Sequence, residues 1–167
     1  MSALVSRDAP ASALFPDAVI YKTANFRVAQ DWEVPIAGFY IISSAKACRS
    51  IIDFSNDEIL ELVDVQRLVR QGMKDVLGIS DVYFFQNEDS AHGFHIWMFP
   101  RHDWMDKKRF GRKIESVRNI MDYAVKHMQN EEVFDQIERC NGQMRLFLNG
   151  EGEHDANSSE ARWEVAG

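Results

Sequence analysis

The 167-residue chain has little cysteine, no long apolar run and no excess of positive charge. Its two cysteines, Cys48 and Cys140, lie far apart and form no CxxC pair, which argues against zinc or disulfide-exchange motifs. No segment approaches the ~20 apolar residues of a membrane span, and the first residues lack the basic start and apolar core of a signal peptide. We therefore expect a soluble, cytoplasmic protein with reduced thiols and no membrane partner.

The charge balance of 26 acidic against 19 basic residues gives a net charge of −7, which argues against bulk binding of nucleic acid. One stretch departs from this balance: residues 101–113 read "RHDWMDKKRFGRK". Such a patch would attract phosphates, with Trp97 or Trp104 available to stack on a base. The alternative is a solvated loop that leads into a helix.

The length suits a single domain with tails. Residues 1–16 carry Ala, Ser and Pro without periodicity, and residues 150–167 are acidic, small and Gly-rich. We expect a flexible N-terminal segment over 1–16, one domain over 17–149 and an acidic flexible tail over 150–167.

The pattern within the domain predicts five strands and two or three helices. The predicted strands are "VIYKT", "FRVAQDW", "GFYIISS", "DVYFFQ" and "FHIWMFPR". Ser55 and Glu58 form a capping box that opens a long helix, and Gly78 ends it. A second helix is predicted over 113–128, and a short third one in "EVFDQIERC". The connections within each strand cluster are too short for crossovers, so the sheet should be antiparallel and the fold α+β.

The apolar periodicity also predicts which helical residues are buried. The stripe on the first helix comprises Ile59, Leu62, Val63, Gln66, Val69, Met73 and Leu77. The stripe on the second comprises Ile114, Val117, Ile120, Met121, Ala124 and Val125.

The stretch "AHGFHIWMFPRHDWM" places a histidine inside the last strand. Alternation puts Gly93, His95, Trp97 and Phe99 on one face and leaves the other face for the core. Gly93 leaves room for a ligand to approach the backbone, and Trp97 offers a flat wall. His92 should point away from His95 by simple alternation, but a β-bulge at Gly93 would turn it back.

This strand resembles the signature of the histidine triad (HIT) nucleotide hydrolases and transferases, His-x-His-x-His-x-x-Pro-Arg. Counting back from Pro100 and Arg101 places the triad positions at Gly93, His95 and Trp97, so the central histidine is present. The resemblance covers roughly residues 19–101, with a hairpin, the Asp-x-x-Pro-Ile style turn in "DWEVPI", a Gly-led strand and the helix entered through "DFSNDE".

The resemblance implies a HIT-like fold, in which a five-stranded antiparallel sheet carries a long helix; the sequence pattern adds an extra C-terminal helix. It implies a homodimer that continues the sheet between subunits. It also implies that His95 attacks the α-phosphate of a nucleotide or dinucleoside polyphosphate, or of a phosphoramidate, through a nucleotidyl-histidine intermediate. Asn87 and Ser90 are similar to residues that hold the phosphate in the family. Together with Gly93, Trp97 and Arg101 they form the expected substrate-binding set, with His92 as a second catalytic residue.

The departures from the family leave other functions open. The outer triad histidines are absent, Gly38-Phe39 replaces the usual Gly-His, and "SSAKAC" lacks the Pro-Lys-x-His that commonly follows. The alternative is a catalytically silent nucleotide-binding protein on a HIT scaffold, and a third possibility is a protein-interaction module.

A metal site is a further alternative, because His92, His95, His102 and Asp103 offer imidazole and carboxylate ligands. It too would require the bulge at Gly93, since a three-residue spacing on a strand points two rings to opposite faces. We expect no metal and no organic cofactor.

Overall fold

The computed structural model describes residues 14–15, 18–89 and 92–159, with residues 151–159 as backbone alone. A five-stranded antiparallel sheet with the order β1-β2-β3-β5-β4 forms its centre. The strands are β1 Val19–Lys22, β2 Phe26–Gln30, β3 Tyr40–Ser44, β4 Val82–Phe85 and β5 His95–Pro100. The predicted α+β fold is confirmed. The first hairpin forms because Thr23, Ala24 and Asn25 make a tight turn in which the Thr23 backbone N–H donates to the Phe26 carbonyl at 2.9 Å.

Helix α1, Asn56–Asp75, begins where the capping box predicts. The Ser55 side chain accepts from the Glu58 backbone N–H, and the Glu58 carboxylate accepts from the Ser55 backbone N–H at 2.7 Å. These bonds satisfy backbone donors that a helix N-terminus otherwise leaves unpaired. Gly78 follows the helix at φ +67°, a left-handed conformation that favours glycine. A 3₁₀ turn, Ile51–Asp53, precedes α1 and carries a capping box of its own.

The predicted buried stripe of α1 is wrong at one position. Val63 is 52% exposed, whereas Val65, which the pattern omitted, is 3% exposed. The buried face follows Leu62, Val65, Val69 and Met73, spaced three or four residues apart as one helix face requires. The error arose because both valines fit an apolar stripe and only packing against the sheet selects between them.

Helix α2, Asp103–Lys107, and helix α3, Ser116–His127, follow β5. The second predicted helix is therefore real but starts later than expected. Ile114 precedes its first turn and is 55% exposed, and Val125 lies on its outer face and is 42% exposed. Both were expected in the core. The observed buried face carries Val117, Ile120 and Ala124.

Helix α4, Glu131–Ser159, is much longer than the short helix predicted in "EVFDQIERC". It packs against β1 and α1, and its buried residues include Ile137, Met144 and Leu148. It continues through residue 150, where we expected a flexible tail, because burial along its first half supports a helix that glycines would otherwise weaken. Residues 160–167 of that tail and residues 1–13 and 16 of the predicted N-terminal segment lie outside the described residues.

The sheet is covered on both faces. One core lies between the sheet and helices α1 and α4, and includes Ile96 and Met98 of β5 and the preceding Phe94. The other lies at the Pro100 end of the opposite face, where Phe99 packs with residues of α2 and α3. Alternation along β5 thus places side chains in two cores. On the second face, Arg27, Ser43 and Trp97 near His95 are half-buried, whereas His95 itself is buried. Among the described residues, no helix combines the length and apolar character that crossing a membrane requires.

Candidate functional site

His95 is the first residue of β5, on the face opposite α1. It pairs with Ser43 of β3. The residue before it, Phe94, is fixed on both sides: its backbone N–H donates to the Cys48 carbonyl at 2.7 Å, and its carbonyl accepts from the Ser44 N–H at 3.2 Å. His95 itself is 6% exposed. A rigid strand start therefore holds the imidazole in one place.

The orientation of the His95 ring follows from one hydrogen bond. Its Nδ1 lies 2.7 Å from the Gly93 carbonyl oxygen. A carbonyl can only accept, so Nδ1 must carry the proton and donate. In a neutral ring this leaves the lone pair on Nε2, the state that a histidine nucleophile requires.

His92 lies close to His95, although the sequence allowed it to point away. The two ring centroids are 6.3 Å apart with an interplanar angle of 82°. The proposed bulge at Gly93 is not how this happens: β5 begins only at His95, the pairing of β3 with β5 keeps one register, and His92 sits in a bend before the strand. His92 is exposed, so it lies on the solvent side of the pair.

Trp32 is a site residue that sequence reasoning missed. Its ring centroid lies 6.3 Å from that of His92, with an interplanar angle of 71°. It follows β2 and comes from a distant part of the chain, so only the folded sheet brings it here. Its one sequence signal was an aromatic residue inside "DWEVPI", the turn that resembles the family.

Trp97, which the sequence resemblance aligns with the third triad position, contacts His95 directly. Its ring centroid lies 4.3 Å from the imidazole centroid, edge to face at 88°. On its other side it packs against Phe85 at 5.1 Å. The tryptophan therefore forms a wall of the site where the family signature has an imidazole donor.

The region around Asn87 reaches the same end of the sheet as His95. Phe85 pairs with Trp97, and continuing this antiparallel register by two residues places Asn87 level with His95. The loop is tied down because Arg49 donates to the Glu88 carbonyl and the Gln86 side chain donates to the Arg49 carbonyl at 3.4 Å. Asn87 is exposed, and Ser90 lies outside the described residues.

The structure separates Arg101 from His95, which corrects its place in the expected substrate-binding set. The residues lie at opposite ends of β5, about 20 Å apart at ~3.3 Å per residue. The Arg101 side chain is 1% exposed, donates to Asp106 at 2.8 Å and lies over the Tyr83 ring. A buried guanidinium bound to a carboxylate at the far end cannot reach a phosphate on His95.

Arg112 from the same basic stretch is also neutralised. It binds Asp106 and Asp81, both at 2.7 Å, and this raises the pKa of its guanidinium and lowers that of the Asp106 carboxyl. The stretch that sequence placed beside the histidine strand therefore serves in part to close the Pro100 end of the sheet.

Three polar side chains fix the loop 31–38 that carries Trp32. The Gln30 side chain donates to the Ile36 carbonyl at 2.8 Å, and His102 Nε2 donates to the Ala37 carbonyl at 2.7 Å. Asp31 accepts from the backbone N–H groups of Glu33 and Val34 at 2.9 and 2.8 Å.

Burial shifts the pKa values of the two titratable members of that set. It raises the pKa of Asp31 to about 6, because the loss of hydration destabilises the carboxylate by more than the two backbone N–H donors stabilise it. It lowers the pKa of His102, because the charged imidazolium is the form that burial disfavours. The charge state of this loop is therefore sensitive to mild acid.

The alternative metal site receives no support from the geometry. Within the described part of the chain, no three His, Cys, Asp or Glu side chains are grouped so that they could hold a metal ion. His102 instead uses its Nε2 in the bond to the Ala37 carbonyl.

No family model and no curated protein matches the sequence of this chain. Solved structures do match its fold. A hypothetical histidine triad nucleotide-binding protein from Sulfolobus tokodaii strain 7 gives a TM-score of 0.55 at 16% identity, over 80% of this chain and 84% of that one. A zinc-bound histidine triad family protein from Mycobacterium smegmatis gives 0.52 at 17% identity, over 88% and 90%. A HIT-like protein involved in cell-cycle regulation from Bartonella henselae, with an unknown ligand, gives 0.50 at 13%, over 79% and 87%.

Fold and strand order thus define the class: an antiparallel α+β protein with a histidine at the start of its last sequential strand. The chain has the HIT-like fold, and its expected resemblance to histidine triad proteins is confirmed at that level. The alignment of Gly93 and Trp97 with the outer histidines of the signature stays a prediction from the sequence.

Proposed function

We propose that the protein is a nucleotide hydrolase or nucleotidyl transferase of the HIT class, acting on a nucleoside phosphate bond in a dinucleoside polyphosphate or a phosphoramidate. The observation that supports this most is the 2.7 Å contact from His95 Nδ1 to the Gly93 carbonyl. It directs the proton to Nδ1 and the lone pair to Nε2, which is the prepared state of a nucleophile.

In the proposed reaction, the Nε2 lone pair of His95 forms a bond to the α-phosphorus. The bond from phosphorus to the leaving group breaks, and its electron pair departs with the leaving group. The oxygen of a water or another acceptor then displaces Nε2, releases the nucleotidyl group and gives its proton to solvent. Most of the rate in phosphoryl transfer comes from positioning and from donors that meet the developing charge.

The donors in this proposal are not those of the family signature. His92, beside His95, would contribute an imidazole N–H, and Asn87 and Ser90 would add an amide and a hydroxyl. Gly93, which has no side chain, leaves room for the phosphate. Trp97 and Trp32 would flank the base, since every base has a π-face that an aromatic ring can contact.

Trapping a covalent adduct tests the proposal. The protein and its His95→Ala variant are incubated with labelled adenylyl and guanylyl substrates, quenched and analysed by mass spectrometry, with His127→Ala as a control at an exposed histidine on α3. We expect an adduct on His95 in the wild type and in the control variant, and none in His95→Ala. The mass of the adduct also identifies the base. Release of no nucleoside monophosphate by the wild-type protein would overturn the proposal.

A catalytically silent nucleotide-binding protein is the second candidate, and one observation favours it. The Trp97 ring packs edge to face on the His95 ring, where the family has an imidazole, so the site has gained stacking surface and lost a donor. This candidate predicts saturable nucleotide binding by calorimetry without turnover. Measurable turnover excludes it, and absence of any nucleotide binding would instead support an interaction module.

The homodimer and the cytoplasmic location stay predictions. A sheet continued between subunits needs an open edge, and β4 is an edge strand whose Phe84 is 43% exposed. A charged residue at this position, as in Phe84→Lys, should reduce the sedimentation coefficient to that of a monomer if this edge forms the dimer.

A further inference from the structure

A row of directly paired residues crosses the sheet and ends at His95. Lys22 of β1 is opposite Arg27 of β2, Arg27 is opposite Ser43 of β3, and Ser43 is opposite His95 of β5. Residues directly opposite one another project from the same face of a sheet. The row therefore places two cations, a hydroxyl and the imidazole on one face, over about 15 Å at ~4.8 Å per strand.

The two cations of this row are arranged unfavourably for stability. Like charges directly opposite each other on neighbouring strands repel and destabilise a sheet. Neither Lys22 nor Arg27 forms an ion pair with any residue that the structure describes. By contrast, the pair Arg101 and Arg112 shares the carboxylate of Asp106. An uncompensated cation pair is what a site for an anionic ligand requires.

The exposure of the side chains decreases along the row from Lys22 to His95. Lys22 is exposed, Arg27 and Ser43 are half-buried, and His95 is buried. A bound anion would thus keep one end in water while its other end meets the imidazole. The partly covered position of Arg27 also strengthens its interaction with a phosphate, since screening by water and salt is weaker there.

We propose that Lys22, Arg27 and Ser43 form a subsite for the phosphates beyond the one that His95 attacks, so that the protein prefers nucleotides with an anionic leaving group. This inference rests on the proposed function, because it takes His95 as the point of attack. Lys22 and Arg27 supply positive charge, and the Ser43 hydroxyl donates to the phosphate nearest His95. An uncharged amine leaving group would gain nothing from these residues.

The experiment compares a double variant, Lys22→Gln with Arg27→Gln, with the matched control Lys74→Gln with Arg139→Gln, which removes two exposed cations elsewhere. The affinities for adenosine triphosphate and adenosine monophosphate are measured by calorimetry. The values of kcat/KM are measured for diadenosine tetraphosphate and for adenosine phosphoramidate. We expect the wild-type preference for the triphosphate to fall about tenfold or more in the row variant and to stay unchanged in the control.

Turnover of diadenosine tetraphosphate should fall by a similar factor in the row variant, with the phosphoramidate within about twofold of wild type. An unchanged triphosphate preference in the row variant, or an equal loss with both substrates, would overturn the subsite. Absence of turnover in the wild-type protein would count against the proposed function alone, because the ratio of the two nucleotide affinities still reports on the row.

Discussion

The two ends of strand β5 present the same face of one sheet, yet their polar residues have different partners. At its start, His95 is held by a backbone carbonyl and flanked by His92 and Trp97. Past its end, Arg101 is buried, bound to Asp106 and covered by α2 and the residues before α3. Alternation alone treats these residues alike. Both residues are 6% exposed, so burial alone does not separate them; the difference is that His95 is bound to a backbone carbonyl and Arg101 to a carboxylate.

The largest expected effect separates the two ends by activity. His95→Ala should lower turnover by at least about a thousandfold, because a covalent mechanism loses its nucleophile. The free energy of unfolding should change far less, since His95 makes its bond to a local carbonyl. Steady-state kinetics and urea unfolding on the same preparation check this. A large loss of unfolding free energy alongside the loss of turnover would show that His95 supports the fold as Arg101 does.

A change at the other end should produce the reverse result. Asp106→Asn removes the carboxylate from Arg101, whose side chain is 1% exposed, and leaves a buried charge uncompensated. We expect the free energy of unfolding to fall, and by more than in a matched surface pair, with nucleotide binding retained.

Asp122→Asn is the control for that change, because its partner Arg118 is exposed and surface pairs contribute only about 0.5 kcal/mol. Similar losses of unfolding free energy in both variants would mean that the ion pair of Arg101 with Asp106 stabilises the protein no more than a surface pair does.

A smaller effect should appear at Asp31, which begins the loop carrying Trp32 and donates its backbone N–H to Phe39 in the covered half of the sheet. Because burial raises its pKa from 3.8 to about 6, ionising Asp31 costs stability as pH rises through this window. Asp31→Asn keeps the acceptor oxygen without the charge. It should be more stable than wild type by at most about 2–3 kcal/mol at pH 7, and equal near pH 4. Thermal unfolding across this range measures it, and a pH-independent difference would contradict the prediction.

The smallest effect should come from His102, which holds the other end of the same loop. Its pKa is lowered by burial, so the folded protein disfavours the imidazolium, and stability should be lost as pH falls below the ordinary value near 6.5. His102→Gln keeps a donor for the Ala37 carbonyl and cannot titrate. The difference in unfolding free energy between wild type and variant should therefore shift in favour of the variant between pH 7 and pH 5. A constant difference would exclude His102 as the cause.

Features that depend on residues close in sequence were predicted well. Contacts between distant segments that strand pairing brings together were not. The capping box at Ser55 and the alternation around His95 depend on neighbours a few residues away, so a linear pattern contains them. The contact of Trp32 with His92 and the row from Lys22 to His95 depend on strand pairing between distant segments. Arg101 was expected in the substrate-binding set because a sequence motif gives the order of residues and not the distance between their side chains.

The sequence by itself determined the five strands, the start of α1, the antiparallel class and the place of His95 on the last strand, because each follows from periodicity, capping or a local motif. Only the tertiary structure decided which faces are covered, how His92 reaches His95 without a bulge, and that α4 extends far beyond its local signal. The physical reason is that burial and register are properties of packed elements. A side chain acquires its role when another part of the chain covers it or leaves it open.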